Sequence, residues 1–163
     1  MFEPRRRRIL IVEDERLLAL TEKMQLEEYG YAVRVVSSGE QAVEAARPPS
    51  DIDLILMDIN LGNGIDGTEA AEMILRDQEI PIVFLSSHTE PEVVAKTERI
   101  TSYGYVVKNS NIAVLDASIK MAFKLFEARG ELQSVQSELI EREEKFRALF
   151  EQGPIGVAYH EMV

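Results

Sequence analysis

Most of the chemistry open to this sequence rests on three acids, a serine and a lysine: Glu13, Asp14, Asp58, Ser86 and Lys108. Glu13 and Asp14 follow the apolar run Ile9–Val12, and Asp58 follows Ile52–Met57. Ser86 follows Ile82–Leu85, and Lys108 follows Tyr103–Val107. Each therefore stands at the carboxyl end of a strand-like segment. A single acid in such a place is usually a solvated loop residue, whereas three converging acids repel and raise one another's pKa values. A hard divalent cation resolves that conflict. Mg²⁺ suits it, because it prefers oxygen ligands and keeps several waters beside one or two carboxylates. With the serine hydroxyl as donor and the lysine ammonium as counter-charge, the set suits a transferred phosphoryl group attacked in line by one carboxylate.

These residues converge only if the elements before them form one sheet. Between the apolar runs (Ala32–Val36 is the fifth) lie Glu15–Tyr29, Gly39–Arg47, Gly67–Arg76 and Pro91–Ile100, with apolar residues three and four apart. Turn signals mark the joints: Tyr29-Gly30, Pro48-Pro49-Ser50, Gly62-Asn63-Gly64 and Ile80-Pro81. Short strands alternating with helices imply an α/β fold, a parallel sheet covered on both faces. Leu54-Ile55-Leu56-Met57 does not alternate with polar residues, as expected of a central strand. The expectation is a five-stranded, doubly wound sheet of flavodoxin-like order 2-1-3-4-5. Its switch point, beyond the carboxyl ends of strands one and three, is where ligands bind in such sheets.

Bulk properties narrow the function classes. A net charge of -11 repels phosphate backbones, so direct nucleic-acid binding is not expected. The run Arg5–Arg8 reads as a solvated tail before the first strand. Absence of cysteine excludes disulfides, thiolate metal sites and cysteine nucleophiles. No apolar run has the length of a membrane span or of a signal-peptide core, and a cytoplasmic location is the default.

Beyond Ile112 the pattern changes. No Gly-Pro break appears until Gly153-Pro154, which predicts one helix of about forty residues. Its second part carries a seam with steps of three and four: Leu125, Ala128, Leu132, Val135, Leu139, Arg142, Phe146 and Leu149. Leucine at every second core position suits a parallel two-stranded coiled coil over 125–150, hence a homodimer. Arg142 is a charge in that core, and Gly130, off the seam and low in helix propensity, is the expected hinge.

The segments Ile11-Val12-Glu13-Asp14-Glu15, Leu54-Ile55-Leu56-Met57-Asp58-Ile59-Asn60-Leu61, Pro81-Ile82-Val83-Phe84-Leu85-Ser86-Ser87 and Gly104-Tyr105-Val106-Val107-Lys108 resemble the response-regulator receiver family. That resemblance implies a receiver domain over 6–124, with Asp58 as phosphoacceptor and a phosphohistidine donor kinase as partner. It implies Asp14 as direct Mg²⁺ ligand, Glu13 acting through metal-bound water, and a backbone carbonyl ligand from Asn60. It implies Ser86 as switch hydroxyl, Tyr105 as rotamer-switching aromatic, and Lys108 on the phosphoryl group. Such a domain is not itself an enzyme. The sequence departs from the family at Asn109, where proline is usual and often cis, at Ser86, where threonine is common, and at Ser87, where alanine is common.

His88 follows strand four, where the family position tunes dephosphorylation, and His160 lies in a terminal strand; neither is placed as a phosphodonor. Glu141 to Val157 resembles the start of a PAS sensor domain, so 151–163 is expected to begin one. Receiver followed by PAS occurs in sensor histidine kinases, which implies such a parent protein. Two other readings stay open: a Mg²⁺-dependent phosphatase with an aspartyl nucleophile, and a degenerate receiver serving as a dimerising scaffold. The phosphatase normally places Asp-x-Asp at the end of its first strand, whereas Asp58-Ile59-Asn60 stands on the third.

Overall fold

The structure is a computed structural model that describes residues 4–87, 90–101 and 103–152. His88, His160 and the expected PAS segment from Gly153 onward lie outside the described residues. Strands and helices alternate: β1 (Arg8–Val12), α1 (Arg16–Glu28), β2 (Ala32–Val36), α2 (Gly39–Ala46), β3 (Leu54–Asp58), α3 (Gly67–Asp77), β4 (Ile82–Ser86), α4 (Pro91–Ile100), β5 (Tyr105–Val107) and α5 (Ile112–Gln152). All strand pairs are parallel and the order is β2-β1-β3-β4-β5, as the sequence pattern predicts.

Side chains of successive strand residues point to opposite faces, and both faces are buried. Leu10, Val12, Ile55, Met57, Ile82 and Phe84 meet Ala42, Ala46, Ala70, Ala71 and Ile74 of α2 and α3. Ile9, Ile11, Leu54, Leu56, Val83 and Leu85 meet Leu26 of α1 and Ile119, Ala122 and Phe123 of α5. Alanine on the α2 and α3 faces lets those helices lie close to the sheet.

Four strands differ from their expected bounds: β1 starts at Arg8, β4 runs on to Ser86, and β3 and β5 start two residues late. β3 begins at Leu54 because Ile52 belongs to a turn, its N–H donating to Ser50 Oγ at 3.2 Å. β5 begins at Tyr105 because Gly104 contributes only its carbonyl, which accepts from Phe84 N–H at 3.0 Å. The arginine run is not a free tail. Arg5 pairs with Asp53 at 3.1 Å, Arg8 opens β1 and pairs with Asp51, and the Arg7 guanidinium sits 4.1 Å above the Phe123 ring. Acids Asp51 and Asp53, just before β3, are the partners that keep these cations on the domain.

The root of α5 is tied down separately. Tyr31 Oη donates to Asp116 at 2.7 Å, and Lys120 Nζ pairs with the other Asp116 oxygen at 2.8 Å. Burial, with Asp116 beside it, drives the Tyr31 phenol well above its ordinary pKa. The chain divides into two compact units, Met1–Phe126 and Glu127–Val163. In the second, every helical residue with a described side chain is exposed. Among the described residues, no helix is long and apolar enough to cross a membrane.

Candidate functional site

The parallel register brings the carboxyl ends of β1 and β3 side by side, with Val12 opposite Met57. Glu13 and Asp58 are almost fully buried (1% exposed each), whereas Asp14 is exposed. Carboxylate oxygens of the three lie within 4.8 Å of one another, so the sequence-predicted acids do converge. Lys108 reaches them from just beyond β5, its Nζ lying 2.8 Å from Asp58 Oδ2 and 2.9 Å from Glu13 Oε2. The Glu13 contact is an ion pair without hydrogen-bond alignment, which leaves Oε2 lacking a donor. The remaining oxygens take backbone N–H groups: Glu13 Oε1 from Glu15 at 3.1 Å, and Asp58 Oδ1 from Asn60 at 3.3 Å.

The electrostatics follow from that crowding. Burial pushes Glu13 up to about 7, with Asp58 adding to it and Lys108 opposing it. Burial also raises Asp58, against the Lys108 hydrogen bond and charge. Burial alone would lower the Lys108 ammonium, but its two carboxylate partners more than reverse that and hold it above the ordinary lysine value. One cation thus serves two buried acids, an arrangement short of positive charge.

Ser86 ends β4 fully buried, with its backbone carbonyl accepting from Lys108 N–H at 2.9 Å. Tyr105 lies opposite Phe84, half-buried against the sheet face that carries α2 and α3. It stands at the start of β5, set back from the strand end that carries Lys108. Asn60 is exposed on the loop after β3.

The departure at Asn109 has a structural answer. The only cis bond among the described residues is Pro48-Pro49, so Lys108-Asn109 is trans, and Lys108 still reaches Asp58. Asn109 has φ 66, and Ser110 N–H closes the turn onto Val107 O at 3.3 Å. Asparagine is among the few residues with a side chain that enter this left-handed region readily. Proline fixes φ near −65°, so Asn109→Pro, although it restores the family's residue, is expected to destabilise by about 2 kcal/mol or more. Asn109→Gly is expected to leave the urea midpoint nearly unchanged.

Several contributing residues were not legible as site residues. Gly67 opens α3, its N–H donating to Ile59 O at 2.8 Å, and a Cβ there would overlap the Asp58 carbonyl oxygen. Asp66 caps α3, accepting from Glu69 N–H at 2.9 Å and Thr68 Oγ1 at 2.5 Å. Asp66 followed three residues later by Glu69 is the signal that announces this cap. Glu40 at the start of α2 accepts from Ile65 N–H at 2.9 Å, which holds its carboxylate below the usual range and ties down the β3–α3 loop. Gly62 in the same loop has φ 73, and a Cβ there would approach Asp14 Oδ2 to 3.3 Å.

Glu22 of α1 is a further acid near this site. Its Oε2 is buried with no hydrogen-bond partner among the described residues. Burial pushes it up to about 7, with Lys108 opposing and Asp58 adding to the shift. Between the ordinary value of 4.5 and about 7 the folded chain keeps a proton that the unfolded chain has released. Stability from this group therefore falls as pH rises through that window. Glu22→Gln is expected to stabilise the domain by about 1–3 kcal/mol at pH 8. The gain should shrink towards pH 4.5, as measured by urea unfolding of variant and parent in parallel.

Comparison with known proteins decides the family, since residues 9–120 match the model of the response regulator receiver domain. The chain belongs to that family. Receiver domains of this family are phosphoacceptor modules of two-component signalling. The transcriptional regulatory protein PdtaR of Mycobacterium tuberculosis is 32% identical over 137 residues, covering 83% of this chain and 66% of that protein. The transcriptional regulatory protein AfsQ1 of Streptomyces coelicolor is 31% identical, covering 79% of this chain and 55% of that one. The chain thus spans about two thirds and about half of these curated relatives. Among solved structures, the N-terminal domain of a response regulator/sensory box/GGDEF 3-domain protein from Carboxydothermus hydrogenoformans is 46% identical at a TM-score of 0.70. That match covers 76% of this chain and 98% of the other.

Proposed function

We propose that Asp58 is the phosphoacceptor of this receiver, that Mg²⁺ is required, and that the signal leaves through α5. The observation that carries the reading is the clustering of Glu13, Asp14 and Asp58 with Lys108 bridging the two buried acids. The donor set is all oxygen and one cation short, which fits a hard divalent ion. Asp14 and Asp58 would hold it directly with the Asn60 carbonyl, and Glu13 through water. When bound, the ion offsets charge on the transferring phosphoryl oxygens.

In the transfer, an Asp58 carboxylate oxygen bonds to phosphorus as the bond from phosphorus to the donor imidazole nitrogen breaks; the other ring nitrogen of the phosphohistidine carries a proton, so the products are an acyl phosphate and a neutral histidine. Lys108 pairs with the new anion, and Ser86 donates its hydroxyl to a phosphoryl oxygen. Tyr105 turns as Ser86 moves. Exposed Leu17, Leu20 and Met24 line α1 near Asp14 and offer an apolar surface on which the donor kinase docks.

The exposed apolar seam of the second unit supports a homodimer through residues 125–150. The Carboxydothermus protein is described as carrying a sensory box, which goes with a PAS domain beginning at 151–163 here and with a cytoplasmic multidomain parent. Family membership, with the acceptor on β3, speaks against the phosphatase reading, and the intact acid–lysine site speaks against a degenerate scaffold.

Incubation with acetyl phosphate and Mg²⁺ tests the central claim. Intact mass should rise by one phosphoryl group, stay unchanged in EDTA, and fall back after hydroxylamine, which cleaves acyl phosphates. Labelling that persists without a divalent ion would refute the metal requirement. Steady release of inorganic phosphate over many turnovers would revive the phosphatase.

A further inference from the structure

The second unit presents a helix that cannot be at rest alone. Leu132, Val135, Leu139, Phe146 and Leu149 of the seam are 53–74% exposed, and most of a helix's stability in proteins comes from packing such a face rather than from propensity. The steps of three and four put Leu132, Leu139 and Phe146 at heptad a and Val135, Arg142 and Leu149 at d. Glu138 then falls at g, and Glu143 at e. Leucine at a by itself leans towards more than two strands, so the leucines do not settle the strand number. The charges carry the argument further.

We propose that the face is covered by a second copy of this chain, parallel and in register, and that Arg142 fixes the register by lying between Glu138 of its own helix and Glu143 of the other. This rests on the homodimer reading above and specifies how it is built. In a parallel pair each g residue faces the e residue five positions on in the partner, so Glu138 meets the opposite Glu143, a repulsive pair. An arginine at d has that same e residue on the rim of its hole, and its own Glu138 lies one turn back.

The guanidinium is a planar fork of five donors and can serve two carboxylates at once. Arg142 makes no ion pair among the described residues, whereas Glu143 is already paired with Arg147 at 2.9 Å. Each chain thus contributes two anions and two cations to the layer, which closes neutral. A slip of one heptad would set Arg142 against Val135 or Leu149 and leave its charge uncompensated. A third strand would crowd a third guanidinium onto the axis. The layer therefore selects two strands and one register, at a cost in stability.

The test uses the full chain. Its lack of cysteine lets Leu139→Cys report in-register pairing by oxidative cross-linking. Sedimentation equilibrium should show a dimer for the parent chain. Arg142→Glu should weaken association at least tenfold. Inverting the whole layer (Arg142→Glu with Glu138→Arg, Glu143→Arg and Arg147→Glu) should restore it to within about threefold. Arg142→Leu should associate more tightly, and should let a Leu132→Cys chain cross-link with a Leu139→Cys chain. An Arg142→Glu chain that associates like the parent would overturn the charged layer while leaving the dimer standing. Failure of the inverted variant to recover would overturn the pairing assigned to Arg142, as would a mass of three chains. A parent chain monomeric at high concentration would sink both this inference and the homodimer reading beneath it.

Discussion

Asp58→Asn is expected to abolish phosphoryl incorporation from acetyl phosphate and from a donor kinase while leaving the fold at least as stable. Asparagine keeps the shape of the side chain and can still accept from Asn60 N–H, but its amide is no nucleophile towards phosphorus. Stability should not suffer, because burial already raises Asp58 above its ordinary pKa. A folded-state pKa raised in this way means that ionised Asp58 opposes folding at neutral pH, so a neutral residue removes a cost. Lys108 retains Glu13 as its partner. Intact mass and urea unfolding, run on the same preparation, separate loss of the acceptor from loss of the fold. Label appearing on Asp58→Asn at the parent's level would move the acceptor elsewhere.

Gly67→Ala is expected to produce the largest structural effect of any single methyl group in the site. The added Cβ falls on the Asp58 carbonyl oxygen, a backbone atom that no rotamer change can move aside. Either α3 withdraws, breaking the Gly67 N–H bond to Ile59, or the end of β3 shifts and carries the Asp58 side chain with it. Overpacking against backbone costs about 3 kcal/mol or more, and labelling should fall with it. The control is Thr68→Ser, at the next residue, which retains the hydroxyl bonded to Asp66 and should label normally. Parent-like labelling and stability in Gly67→Ala would show that the β3–α3 junction yields more easily than this contact implies.

What the sequence made legible was periodic or terminal. Runs such as Leu54–Met57 announced buried strands, and strand order followed from alternation with helices, which placed Glu13, Asp14, Asp58 and Lys108 at one edge before any distance was known. The supporting residues were harder to see. Gly67 matters through a backbone approach that depends on how closely α3 lies against β3, and nothing in its neighbours encodes that separation. Glu40 acts across a sequence gap of 25 residues through a loop N–H, a pairing that only the folded chain creates. Arg5 and Arg8 are exposed, as a solvated run should be, but their partners Asp53 and Asp51 are more than forty residues away and no local pattern shows them. Asn109 could be marked as a departure from the family, but not resolved. Its left-handed backbone becomes evident only when the turn from Val107 to Ser110 is seen to close.

The bond from Tyr31 to Asp116 bears on the mechanics of α5. Together with Lys120 on the same carboxylate and Arg7 over Phe123, it keys the first turns of the helix to the sheet as a shaft is keyed to its hub. Ile119 and Ala122, both fully buried, pack the root of α5 into the core. A helix fixed in this way resists torque about its own axis, because rotation would have to break a buried phenol–carboxylate bond and expose apolar surface together. Tilting the root by a few degrees is cheaper, since it strains these contacts only slightly. Tyr31→Phe, by loosening the key, is expected to free the first turns of α5 to turn against the sheet, with faster amide hydrogen exchange there as the readout.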